Sequence, residues 1–98
     1  MDLDAICRQD INNNLTKLNR ILSMLGIDEK ICQICKHILI HVETGYYLDK
    51  HNPLSRIAAI IYYVIDRLNI KINKYQIIQT CEVSELTINK CYQKFCNA

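Results

Sequence analysis

From residue 11 onward the apolar positions Ile11, Leu15, Leu18, Leu22 and Leu25 recur at spacings of four and three. That period is one buried stripe along an α-helix, and Gly26 follows where such a helix would stop. Leu3 and Cys7 continue the stripe upstream, so residues 1–10 read as a helical extension. Asn12, Asn13 and Asn14 are poor helix formers and offer a point where it could break. Asp28 is placed to cap a second helix, with Glu29 in its first turn. Ile31, Ile34, Cys35, Ile38, Leu39 and Val42 give its apolar face and Gly45 its end.

A short connection over 46–51 leads to Asn52 and Pro53. A capping side chain followed by proline at the first helical position, where a missing N–H costs least, predicts a helix start. In this third helix Leu54, Ile57, Ala58, Ile61, Ile65 and Leu68 share a face, yet Ala59, Ile60, Tyr63 and Val64 are apolar as well. A helix with so little surface suited to water is normally surrounded by others, and the small Ala58 and Ala59 would let neighbours approach closely. After a polar connection over 69–73, Tyr75, Ile77, Ile78 and Cys81 mark a short fourth helix. Glu82 and Val83 turn the chain, and Ser84 caps a fifth helix with Glu85 in its first turn. The predicted helices are 11–25, 28–44, 53–68, 74–81 and 84–96, an all-α domain over residues 11–98.

Ninety-eight residues suffice for one small core, and 50% apolar against 22% charged residues describe a globular chain, not a disordered one. No apolar run is long enough to span a bilayer. The net charge of +2 excludes binding nucleic acid by charge alone. Its distribution is uneven: residues 1–50 carry six Lys or Arg against seven acids, residues 51–98 six against three. The C-terminal half is the one to face an anion, unless the excess is only a solvated surface. The N-terminus MDLDAICRQD is acidic and polar with no apolar core segment, so no signal peptide is expected. The six cysteines are therefore expected to be reduced, inside the cell.

Cys32 and Cys35 form a CxxC followed by His37 and His41, the one constellation that suggests zinc. All four lie in one predicted helix, where Cys32 points away from the face shared by Cys35, Ile38 and Val42, and no second CxxC follows. One straight helix would strain a tetrahedral site, so these read as core or surface side chains, as do Cys81, Cys91 and Cys96, with no metal and no cofactor. His37, His41 and His51 have no nucleophile or carboxylate constellation and there is no Gly-rich phosphate loop. The expectation is a protein that is not an enzyme.

On the fifth helix Ile88, Cys91, Tyr92 and Phe95 share the face expected to be buried. The opposite side presents Glu85, Leu86, Asn89, Lys90, Gln93 and Lys94, which with Ser84 form the candidate DNA-binding set. Asn and Gln pair with adenine edges, Glu accepts from cytosine, and an apolar Leu86 outside the core stripe suits a thymine methyl. Lys90 and Lys94 can neutralise phosphates. Any amphipathic surface helix carries such residues, and that plainer reading stands beside this one.

Residues 52–62 read NP-x-S-x-x-AA-x-IY and residues 83–92 contain VSE-x-TI with a following Tyr. In this order and at this distance they resemble the C-terminal cyclin repeat of transcription factor IIB and its archaeal and viral relatives, over 18–95. The resemblance implies a five-helix cyclin-like domain centred on the 53–68 helix, with the last two helices as a helix-turn-helix. It also implies a function: binding double-stranded promoter DNA upstream of the TATA box, in a complex with TATA-binding protein and RNA polymerase. The family's reading positions fall on Leu86 and Asn89; the second is commonly Arg in the cellular factors, and Asn89 cannot replace a bidentate contact to guanine, so either base preference should differ here or specific reading is lost. No zinc ribbon, polymerase-reaching linker or first cyclin repeat is seen, so this chain alone is not expected to bridge DNA to polymerase. With 17 Ile and 9 Asn against two Gly, the composition suits an AT-rich genome. Beside the resemblance it points to a large DNA virus, and to the nucleus or a cytoplasmic viral factory as the place of action. The alternative is a cyclin-fold protein–protein interaction module without sequence-specific DNA binding.

Overall fold

Two asparagines, Asn52 and Asn73, start helices by side-chain capping. Asn52 is extended (φ −69°, ψ 160°) and its Oδ1 accepts from the Ser55 N–H at 2.8 Å, directly ahead of Pro53. Asn73 is extended too (φ −76°, ψ 140°); its Oδ1 accepts from Tyr75 N–H, and the Gln76 side chain accepts from the Asn73 N–H, both at 2.9 Å. This reciprocal capping satisfies backbone donors that the first turn leaves open. The computed structural model describes residues 3–45 and 52–97, with side chains from residue 11 on except 45, 95 and 97. The described residues form five helices: α1 (Leu3–Met24), α2 (Glu29–Gly45), α3 (Pro53–Leu68), α4 (Lys74–Cys81) and α5 (Glu85–Asn97). The expected connection over 46–51, and the side chains of Leu3, Cys7 and Phe95, lie outside the described residues.

Three helices end alike. Gly26 (φ 69°), Asn69 (φ 53°) and Glu82 (φ 56°) follow α1, α3 and α4 in the left-handed region. The next residue then bonds back five positions: Ile27 N–H to Leu22 O at 3.1 Å, Ile70 N–H to Ile65 O at 3.0 Å, Val83 N–H to Ile78 O at 3.3 Å. In each case an aliphatic residue five positions after another is drawn against the core, as a Schellman ending requires. Asparagine tolerates this conformation; glutamate adopts it at a cost.

α3 is the centre, packing against each of the other four helices. Ser55, Ile57, Ala58, Ala59, Ile60, Ile61, Val64 and Ile65 are all buried, so most of its circumference is covered. Its end differs from the expected face: Leu68 is exposed, because the helix stops one residue later at Asn69. α1 continues upstream to Leu3, running without interruption through the asparagine run that offered a point where it could break. The reason is that Asn14 is itself buried, in phase with Leu18 and Ile21, so packing outweighs its weak propensity.

α2 is rotated relative to the expected face. Cys32, Cys35, Leu39 and Val42 are buried and Ile34 is exposed, so Cys32 does not point away from the core. Spacings of three, four and three place these four residues on one stripe, and the Cys32 thiol donates to the Ile27 carbonyl at 3.5 Å. α2 and α3 are further tied by an ion pair: Arg56 Nε and Nη2 donate to Glu43 Oε1 and Oε2 at 2.7 and 3.4 Å. Only 11% and 13% of these two side chains are accessible, so the pair is largely shielded and two-pronged. On α4 the expected apolar set also splits: Ile77 and Cys81 are buried, whereas Tyr75 is 60% exposed.

Replacing Glu82 by glycine removes the left-handed penalty at the end of α4, and the fold should gain about 0.5–1 kcal/mol in chemical denaturation. Gly26→Ala, at φ 69° with no heavy atom within 4 Å of an added Cβ, should lose about 1 kcal/mol through backbone strain alone. Equal midpoints for both variants and the parent would contradict this account of the two turns.

Candidate nucleic-acid interface

The last helix is held by an aromatic and aliphatic seam. Ile88 and Cys91 are fully buried, and the half-buried Tyr92 meets Tyr62 of α3 edge-on, with centroids 4.9 Å apart and ring planes at 70°. Tyr63 lies 6.2 Å from the same ring, and the Tyr92 hydroxyl donates to Asp66 Oδ2 at 3.3 Å. Aromatic pairs of this kind add about 0.5–1.5 kcal/mol beyond their burial, and their directionality fixes the rotation of α5 about its axis. Burial above all, then the neighbouring Cys96 thiol and Asp66 carboxylate, push the Tyr92 phenol up to about 12. At the start of α5, Ser84 Oγ accepts from the Thr87 N–H at 3.1 Å and lies 2.7 Å from the Thr87 hydroxyl, a side-chain cap.

That rotation decides what faces outward. Ser84, Glu85, Leu86, Lys90, Gln93 and Lys94 are exposed, Leu86 by 64%. The set offers an apolar contact, an amide, a carboxylate and two ammonium groups along three turns of one helix. Asn89 is different: it is half-buried, and its Oδ1 accepts a hydrogen bond from Lys74 Nζ on α4. The same ammonium lies 3.6 Å from Glu85 Oε1 and 4.9 Å from the centre of the Tyr62 ring. Sequence reasoning missed Lys74, and also Tyr75 beside it, which turns outward. Nothing in the spacing signals a partnership between residues 74 and 89, because it depends on how α4 and α5 cross.

Among the described residues no group of three or more His, Cys, Asp or Glu side chains is placed to hold a metal. Cys32 and Cys35 face the core while His37 and His41 are exposed. Burial pushes the thiols of Cys35 and Cys81 up to about 12 and that of Cys91 to about 11; burial raises Cys32 as well. These are thiols held protonated by an apolar setting, whereas Cys96 is exposed.

Four helices wrapped on a buried central one form an all-α, cyclin-like module. The family model for the transcription factor TFIIB repeat matches residues 7–98, and the chain belongs to that family. It is thus a transcription-factor-like module of cyclin-type fold, from a family that works with the transcription machinery and is not typically enzymatic. Curated proteins and solved structures provide no match to the chain. No helix among the described residues is long and apolar enough to cross a membrane.

The buried thiols give a sign for alkaline stability. Their folded pKa values lie above the ordinary value of 9.0, so above about pH 9 the unfolded chain releases protons that the folded one retains. Stability should be intact below that pH and fall as pH rises through 11 to 12, with Tyr92 adding in the same direction from its ordinary 10.0 upward. In a Cys7→Ser background, a thiol reagent at about pH 8 should label Cys96 promptly and the core thiols only in denaturant. A urea midpoint no lower at about pH 10.5 than at about pH 8 would contradict the assignment.

Proposed function

We propose that this chain is a promoter-DNA binding module acting in a transcription initiation complex with TATA-binding protein and RNA polymerase. Residues 11–98 are its cyclin-like domain, residues 1–10 an extension of it, and α4 and α5 its helix-turn-helix. The observation that carries this reading is α5 itself. The helix is anchored by Ile88, Cys91 and Tyr92 on one side and turns Leu86, Lys90, Gln93 and Lys94 to solvent on the other. A helix fixed in rotation, with base-reading and phosphate-neutralising side chains on its free face, suits the major groove. Ser84 and Glu85 at its start and Asn89 in its middle complete the set. Membership of the TFIIB repeat family supports the partners, without which the modest charge of the chain would hold DNA only weakly. The Ile- and Asn-rich composition accords with a large DNA virus as source and with action in the nucleus or a viral factory.

Fluorescence anisotropy with duplexes carrying a TATA element, with and without TATA-binding protein, tests this across a salt series. Binding should weaken steeply with salt, and Lys90→Ala with Lys94→Ala should flatten the slope of log K against log salt by roughly two. Asn89→Arg should strengthen binding by roughly tenfold on duplexes with guanine at the read position, because arginine makes a two-pronged contact there. The exposed Ile34 and Ile40 on α2 favour a second reading, a protein interaction module. That reading prevails if no duplex shows salt-dependent binding in any partner context.

A further inference from the structure

We propose that Lys74 sets the base preference of α5 by fixing the side-chain amide of Asn89. The inference rests on the DNA-reading role proposed above and adds a positioning residue from outside the reading helix. An asparagine recognises adenine by using both ends of its amide at once, Oδ1 accepting from N6 and Nδ2 donating to N7. In this structure Oδ1 is turned toward α4, where it accepts from the Lys74 ammonium. The lysine is not a loose surface group. Its side chain is 21% accessible, Glu85 Oε1 lies 3.6 Å from Nζ, and the Tyr62 ring centre lies 4.9 Å away. Three attractions of different kinds converge on one cation, and a charge-assisted bond is about twice as strong as one between neutral groups.

The amide is planar, so directing Oδ1 at α4 directs Nδ2 elsewhere. Asn89 then has one lone pair of Oδ1 engaged by Lys74 and its acceptor aimed at α4, so that its N–H donors are left for a base edge on the other side. The matching base edge is one that only accepts. Guanine, with N7 and O6 side by side, fits this; adenine, whose N6 is a donor beside N7, does not. The module should therefore favour guanine over adenine opposite Asn89, the reverse of what asparagine alone would suggest. Lys74→Met keeps the length of the stem over Tyr62 but removes the donor, and so frees the amide to rotate.

Two measurements decide the matter. In the first, without DNA, the Asn89 side-chain amide resonances should shift in Lys74→Met while those of Asn12 and Asn19, which are exposed on α1, stay in place. In the second, duplexes with guanine or adenine at the read position are compared at fixed salt in the presence of TATA-binding protein. The ratio of guanine to adenine affinity should fall by roughly tenfold in Lys74→Met and be kept in Lys74→Arg. In an Asn89→Ala background Lys74→Met should leave the ratio unchanged, which a general loosening of the helix would not reproduce. An unmoved Asn89 resonance overturns the proposal. So does an equal weakening on both duplexes, which would make Lys74 a phosphate contact only. Absence of binding by the parent chain overturns the DNA reading and this inference together, whereas binding with an unaltered ratio overturns this inference alone.

Discussion

Because α3 carries apolar side chains around most of its circumference, it cannot face water on any broad side, and the other helices are its means of burial. Each of them buries its apolar side against α3, and α1 packs against α2 and α4 as well. Ala58 and Ala59 are fully buried and add little bulk, which lets neighbouring helices approach α3 closely. The Asn52 cap and the left-handed Asn69 set where this central rod begins and ends. α5 inherits its position from the same rod: Ile88 and Cys91 are buried with it, and Tyr92 locks onto Tyr62 and Asp66 of α3. The outward face of α5 is thus a consequence of how α3 is covered.

The electrostatics of that face are modest. The local excess of positive charge is shared between Lys90 and Lys94, which are exposed, and Lys74, which is engaged within the fold. A surface of this kind supplies too little counterion release to hold DNA firmly by charge, so the DNA binding proposed above would lean on fit and on neighbouring proteins. Membership of a family that acts within the transcription machinery is consistent with such division of labour.

Much of the fold can be read from the residues, and the exceptions have physical causes. Pro53 after Asn52 marks the start of α3, and the nearly unbroken apolar run behind it marks the helix as central. Ser84 with Glu85 marks the start of α5. The phase of α2 is harder to read because Ile31, Ile34 and Ile38 compete with Cys32, Cys35 and Leu39 for one stripe, and cysteine carries less weight than isoleucine in any such reading. The three left-handed turns hold a legible rule, an aliphatic residue five positions after another, but only Gly26 advertises it by residue type. At the candidate interface, the outward set on α5 follows from its period alone. The Lys74–Asn89 contact does not, since it joins residues fifteen apart through the crossing of two helices.

The Glu43–Arg56 pair has a bearing on how the chain assembles. It closes a segment of thirteen residues, while the Tyr92–Asp66 bond that seats α5 closes one of twenty-six. Doubling a loop adds about 0.6 kcal/mol of closure entropy, so the α2–α3 hairpin is the less expensive unit to form, and the shielding of its ion pair rewards it early. Docking of α5 through Tyr92 and Asp66 comes under a longer tether. The surface proposed to meet DNA therefore takes shape only once α5 has seated on α3, the most extensive packing between two helices among the described residues.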